Sequence, residues 1–155
     1  MSYTPRSRPL PALGLAALGL VLPACSLFGP PTSVSIRLES GKDLNQNRSG
    51  VSSPVNIRIY QLSDDAKFQD ADFAKIWDDD ESSLEGSLVR KRELDLAAES
   101  NSEFELQVQK GTRFIGVMGL FDKEEDKEWR VVVPIEDVSD LTFFFEGYTI
   151  TKRDR

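Results

Sequence analysis

Three stretches of this chain alternate apolar and polar residues with a period of two, which limits the fold more than any other property of the sequence. Val34, Ile36 and Leu38 alternate with Ser33, Ser35, Arg37 and Glu39. Val55, Ile57 and Ile59 alternate with Asn56, Arg58 and Tyr60, and Phe104, Leu106 and Val108 with Glu103, Glu105 and Gln107. Successive side chains of an extended strand point to opposite faces, so each stretch reads as a strand with one face buried and one in water. Arg113 to Phe121 is apolar on both faces and predicts a central strand. Trp129, Val131, Val133 and Ile135 mark another, and Leu141 to Glu146 and Tyr148 to Lys152 a final pair around Gly147. Leu88 to Leu96 is a weaker candidate, because Arg90 and Arg92 share parity with Leu94. Many short strands separated by turn residues predict an all-β sandwich or barrel.

One segment follows a different period. In Asp70-Ala-Asp-Phe-Ala-Lys-Ile-Trp-Asp, the residues Phe73, Ile76 and Trp77 fall at i, i+3 and i+4, one face of a short helix. Asp70 is the expected N-cap, and Asp72 suits the positive end of the helix dipole. This helix lies in an insertion between strands, at about 63–87.

The first residues carry Arg6 and Arg8 and no acid, Leu10 to Leu22 is almost continuously apolar, and the small Ala24 precedes Cys25. A charged start, a short apolar run and a small-residue cleavage site make a signal peptide over residues 1–24. The run is short of the roughly 20 apolar residues a spanning helix needs. Arg6-Ser7-Arg8 is not a twin-arginine pair, which points to the general secretory route. A cysteine at the cleavage point resembles the bacterial lipobox, in which the thiol is acylated and becomes the new N-terminus. Ser26 after it, rather than Asp, implies sorting to the outer membrane. The other reading is cleavage after Ala24 that leaves one free thiol. Cys25 is the only cysteine, so no disulfide forms within the chain. Residues 25–32 then read as a tether, with Gly29, Pro30 and Pro31 excluding helix and ladder pairing. A domain over 33–155 is large enough to be held by its core alone.

The leader holds two of the 19 basic residues and none of the 26 acidic ones, leaving 17 against 26, a balance of −9. Such acidity argues against nucleic acid as a partner and against polybasic contact with anionic lipid. The chain contains no histidine, which excludes Ser-His and Cys-His catalysis and a Cys/His zinc site in their usual forms. No cofactor is expected. The acidic runs Asp78-Asp79-Asp80-Glu81 and Asp122-Lys-Glu-Glu-Asp126 read as solvated charge rather than as a working carboxylate pair, which needs a partly desolvated cleft. Asp43-Leu-Asn45-Gln-Asn47 imitates the start of a calcium loop. However, Arg48 replaces the required Gly and Pro54 the bidentate Glu, so calcium is rejected. Gly116 and Gly119 inside a predicted strand mark a bulge or close packing.

The stretch Ser40 to Ser53 separates two clear strands and is longer than a hairpin of two to five residues requires. Long loops on a rigid sheet are where binding resides, although a merely mobile loop has the same signature. The candidate contact residues are Lys42, Asp43, Leu44, Asn45, Gln46, Asn47, Arg48, Ser49, Gly50 and Val51, with Leu44 and Val51 as apolar anchors.

Four features in order carry a family resemblance: the lipobox at Cys25; the loop Leu44 to Gly50 leading into Ser53-Pro54-Val55-Asn-Ile-Arg58-Ile59-Tyr60-Gln61-Leu62; Phe68-Gln-Asp-Ala71-Asp72-Phe73; and Arg113 to Phe121 followed by Trp129-Arg130. The chain resembles the TssJ (SciN) family of outer-membrane lipoproteins of the bacterial type VI secretion system. The resemblance implies a transthyretin-like two-sheet β-sandwich with an inserted helical segment and a non-enzymatic role. It implies a lipoprotein facing the periplasm that binds the periplasmic C-terminal domain of TssM and, through it, joins TssL in an envelope-spanning complex. The loop between the first two strands contacts TssM in the family, and Ser40 to Ser53 occupies that place. The competing reading is a periplasmic lipoprotein that binds a small ligand or cell-wall fragment between sandwich and helix, using Trp77 and Trp129. Core packing is the alternative role for both tryptophans.

Overall fold

The computed structural model describes residues 1, 32–123 and 128–154. The leader after Met1, Cys25 and nearly all of the tether lie outside the described residues, as do residues 124–127, which take in the end of the second acidic run. Eight strands and three short helices follow in the order β1 Ser33–Ser40, β2 Val55–Leu62, α1 Ala66–Asp70, α2 Phe73–Asp78, α3 Asp80–Ser83, β3 Leu88–Leu96, β4 Asn101–Gln107, β5 Phe114–Leu120, β6 Arg130–Pro134, β7 Asp140–Glu146 and β8 Thr149–Arg153.

They form two four-stranded sheets, β4-β1-β7-β8 and β3-β2-β5-β6. All neighbours are antiparallel except β1 and β7, which run parallel from Ser35 opposite Asp140 to Ser40 opposite Phe145. The predicted alternation holds along β1, where Val34, Ile36 and Leu38 are fully buried. Leu141, Phe143 and Phe145 of β7 continue that apolar face, and Val55, Ile57 and Ile59 of β2 meet it from the other sheet.

The second half of β2 departs from alternation, since Tyr60, Gln61 and Leu62 are all buried. The reason is a third layer. The insertion folds back over the outer face of the β2–β5 sheet, and its Phe68, Ile76 and Leu84 are completely buried there. Gly116 of β5 makes this close approach workable: a Cβ at that position would lie 3.0 Å from the Phe68 ring and 3.2 Å from Leu62. The glycines of β5 therefore mark close packing, and the register of β5 against β2 runs through both of them unbroken. As predicted, β5 lies inside its sheet and is buried on both faces.

The insertion differs from the predicted single helix. Asp70 is the last residue of α1, not an N-cap, because Ala71 turns extended (φ −62°, ψ 141°) and separates two helices. Asp72 occupies the N-cap position of α2 without a side-chain capping bond and pairs with Lys75 at 3.1 Å instead. Of the predicted apolar face, Ile76 is buried, whereas Trp77 stands 39% exposed. Asp80 also departs from expectation. In the middle of a run read as solvated, it is only 5% exposed.

Candidate functional site

Residues 41–54 carry the chain from the first sheet to the second. They are not a hairpin connection, so the comparison with a two-to-five-residue turn was the wrong standard. The loop is nonetheless long, because β3 reaches β4 in the opposite sheet through residues 97–100 alone.

The loop has a pinned base and an exposed tip. At the base, Gly41 N–H donates to the Phe145 carbonyl at 2.9 Å, and Asn45 N–H donates to the Gly147 carbonyl at 2.8 Å. The Asn45 side-chain oxygen accepts the Asp122 N–H at 2.9 Å, so this one residue joins three loops. Asn45 does this from a left-handed conformation (φ 46°), which asparagine tolerates better than most residues. Beside it Leu44 is fully buried in the hydrophobic core. The expectation of Leu44 as an apolar contact for a partner is therefore corrected: its side chain holds the loop down. Asn45, only 3% exposed, is likewise a structural member of the loop rather than a surface. Tyr148 donates its hydroxyl to the Gln46 carbonyl and clamps the loop from β8's side. Gln46 also donates to the Asp43 carboxylate at 2.9 Å, and the Ser52 hydroxyl donates to the Lys42 carbonyl at 2.5 Å.

Above the Gln46–Ser52 bridge the chain closes into a tight turn. Asn47 N–H donates to the Val51 carbonyl at 2.9 Å, and Gly50 N–H donates to the Asn47 carbonyl at 3.0 Å. The Asn47 side-chain oxygen accepts from Ser49 and Val51 N–H at 2.9 and 3.1 Å, an Asx turn that organises the tip from within. Gly50 supplies the positive φ of 74° that the turn requires. Asn47, Arg48, Ser49, Gly50 and Val51 are all exposed, Val51 at 59%. Of the two apolar candidates, Val51 alone faces solvent.

The loop stands at one pole of the sandwich with the 97–100 turn, residues 121–123 and the Gly147–Tyr148 turn. The chain enters β1 at the opposite pole, where the Thr32 carbonyl accepts the Val108 N–H at 2.9 Å. One strand, about 23 Å at the usual rise per residue, separates that point from the loop. Tyr148 and Lys123, whose ammonium lies 4.9 Å from the centre of the Tyr148 ring, complete this end of the molecule. The sequence gives no local signal for either, because both are brought to the loop by strands distant along the chain.

The cleft expected between sandwich and helices is filled. Trp129 is buried against Phe73, with ring centroids 5.0 Å apart in an edge-to-face arrangement, and so serves the core. Asp80 sits under the insertion with Tyr60, Lys91 and Arg58 around it, and all four groups are occupied with one another. Among the described residues, no group of three or more Asp, Glu, Cys or His side chains is placed to hold a metal ion.

The family described as type VI secretion lipoprotein (VasD, EvfM, TssJ) matches residues 32–149. The chain belongs to that family. The two-sheet sandwich agrees with solved members. The lipoprotein TssJ1 from Pseudomonas aeruginosa is 28% identical, with a TM-score of 0.73 over 81% of this chain and 99% of that one. A chain in a structure of a type VI membrane complex is 22% identical, with a TM-score of 0.74 over 79% and 98%. A chain in a structure described by the TssM C-terminal domain from EAEC is 21% identical, with a TM-score of 0.70 over 79% and 98%. The last two likenesses concern the fold. No curated protein matches the chain by sequence.

Proposed function

We propose that this family member is a structural, non-enzymatic component of the type VI membrane complex, acylated at Cys25 and held at the outer membrane with its domain in the periplasm. Its 42–51 loop grips the periplasmic C-terminal domain of TssM, and TssL joins the assembly through TssM. The observation that carries this reading is the loop's construction. Its base is bonded to three other segments, and its tip presents Asn47, Arg48, Ser49 and Val51 at the pole opposite the point where the tether enters. A contact surface fixed before binding loses less conformational freedom on association than a mobile one. The expected contacts are the tip residues, with Lys42, Asp43 and Gln46 as flanking polar groups; Leu44 and Asn45 act by shaping the loop.

The test separates the two ends. Cys25→Ala is expected to move the protein from the membrane fraction to the soluble periplasm while leaving its affinity for TssM unchanged. Replacement of 46–52 by a two-residue turn is expected to keep the thermal midpoint within a few degrees and to abolish TssM binding in calorimetry. A loop-shortened protein that bound with full affinity would remove the loop from the interface.

A further inference from the structure

The two sheets part along one flank, away from the loop. β3 and β4 are the edge strands there, each paired on one side only. Between them runs a groove of about 420 Å³, floored by Ile59, Gln61 and Leu106 and rimmed by Arg90 and Arg92. The register sets Arg92 opposite Ile59 and Arg90 opposite Gln61, both buried on β2. Two arginines thus occupy the face of β3 that would ordinarily supply core residues.

Their partners are incomplete. The Arg92 guanidinium lies 3.9 Å over the Phe104 ring, which fixes its plane by a cation–π contact and uses none of its N–H groups. Both side chains are exposed, neither guanidinium has a hydrogen bond or ion pair among the described residues, and Glu105 on the β4 rim is the one carboxylate lining the groove. Gln61 on the floor is already satisfied: it donates to the Gln107 carbonyl at 2.9 Å and accepts from Gln109 N–H at 2.7 Å and the Thr112 hydroxyl at 3.0 Å. Lys91, between the arginines in sequence, points to the other face and is held by Asp80 and Glu93. The groove therefore offers an anion two water-exposed guanidiniums that no carboxylate of the described residues neutralises.

The free edge of β3 offers a second attachment, since it presents backbone donors and acceptors in a row. An extended polypeptide engages both; a free anion or a saccharide engages only the first. A second copy of this chain is a poor occupant, because antiparallel pairing centred on Lys91 would set Arg90 against Arg92 and lysine against lysine. We propose that this flank binds an extended acidic segment of a partner protein, which adds as a strand to β3 and places a carboxylate between Arg90 and Arg92. Like charge excludes self-association while opposite charge admits the partner. This surface is separate from the 42–51 loop and does not depend on the role given to it.

The test uses the full chain and a fluorescein-labelled nine-residue peptide of alternating valine and glutamate. Anisotropy should show saturable binding that weakens with salt, and the amides of 88–96 should gain protection in hydrogen exchange. Arg90→Glu should weaken binding by about tenfold or more. Arg92→Lys, which keeps the charge but loses the stacked plane, should cost less, with unchanged thermal midpoints confirming that both variants fold. Equal binding of a proline-interrupted acidic peptide would overturn the strand addition, and tighter binding of an oligogalacturonate would reassign the groove to an acidic saccharide. Indifference to Arg90→Glu, or no binding at roughly 1 mM peptide, would overturn the proposal outright.

Discussion

Three donors converge on one oxygen of Asp80: Lys91 at 2.9 Å, the Tyr60 hydroxyl at 3.0 Å and Arg58 at 3.4 Å. Arg58 also donates to the carbonyls of Ile76 and Trp77 at 3.2 and 3.1 Å, so one cluster ties both α2 and α3 to the outer face of β2. Removing one partner of a buried charged set leaves the others uncompensated, so Asp80→Ala is expected to cost about 3 kcal/mol in urea unfolding, more than changing any exposed acid nearby. The cluster also sets an alkaline limit. Burial, and then the charge of Asp80, raise the pKa of the Tyr60 phenol above its ordinary value. Burial alone would lower that of Lys91, but hydrogen bonds to Asp80 and Glu93 outweigh it and raise it. Both groups hold their protons more tightly folded than unfolded. Their contribution is therefore complete below about pH 10 and is lost as the pH rises through the folded values. Stability measured from pH 8 to 11 should fall at the alkaline end, and Tyr60→Phe should flatten part of that fall while costing about 1 kcal/mol at neutral pH. Asp80 was unreadable in its acidic run because its environment is made by β2 and β3, not by its neighbours in sequence. The one clue was that Arg58 and Tyr60 share the polar face of β2.

At the level of elements, the alternation rule worked where a strand has water on one side and failed where a third layer covers it. β1 and the first half of β2 were legible for that reason. The insertion was legible as helical but not as three pieces, since a break such as Ala71 carries no composition signal. Its attachment is testable at Gly116. Gly116→Ala places a methyl group 3.0 Å from the Phe68 ring and 3.2 Å from Leu62, so the packing of α1 on β5 must give by a few tenths of an ångström. A loss of about 1–3 kcal/mol is expected, together with faster proteolysis confined to 63–87. Cleavage spread evenly over the domain would mean that the insertion and the sandwich unfold as one unit. Two hydrogen bonds from Arg130, to the Ala71 carbonyl at 2.5 Å and to the Gln69 carbonyl, fasten the same joint from β6. Arg130→Ala should give the same confined proteolysis without a steric clash.

Over the whole molecule, the sandwich class was readable from the chain, but the division of the first interstrand connection into base and tip was not. Leu44 and Asn45 look like contact residues beside Gln46 and Asn47. Only the meeting of Gly147, Tyr148 and Asp122 with the loop makes them internal, and no local pattern announces a meeting across that much chain. Asn45→Ala is expected to free the base. It should lower TssM affinity on the proposed function although the residue is buried, with little change in far-UV circular dichroism. Val51→Asp should lower affinity at least as much with no loss of stability, and the pair of results would distinguish shaping from touching.

The tether enters at one end of β1 and the loop leaves from the other, so one strand connects the two places where the protein would be held. A pull between membrane and partner then passes down a backbone that is already extended and has almost no length to give. β4 and β7 flank that strand and keep it straight. The domain would behave as an inextensible link: stretched between residues 32 and 48, it should transmit force stiffly, while the same force applied across the sheets would peel them apart.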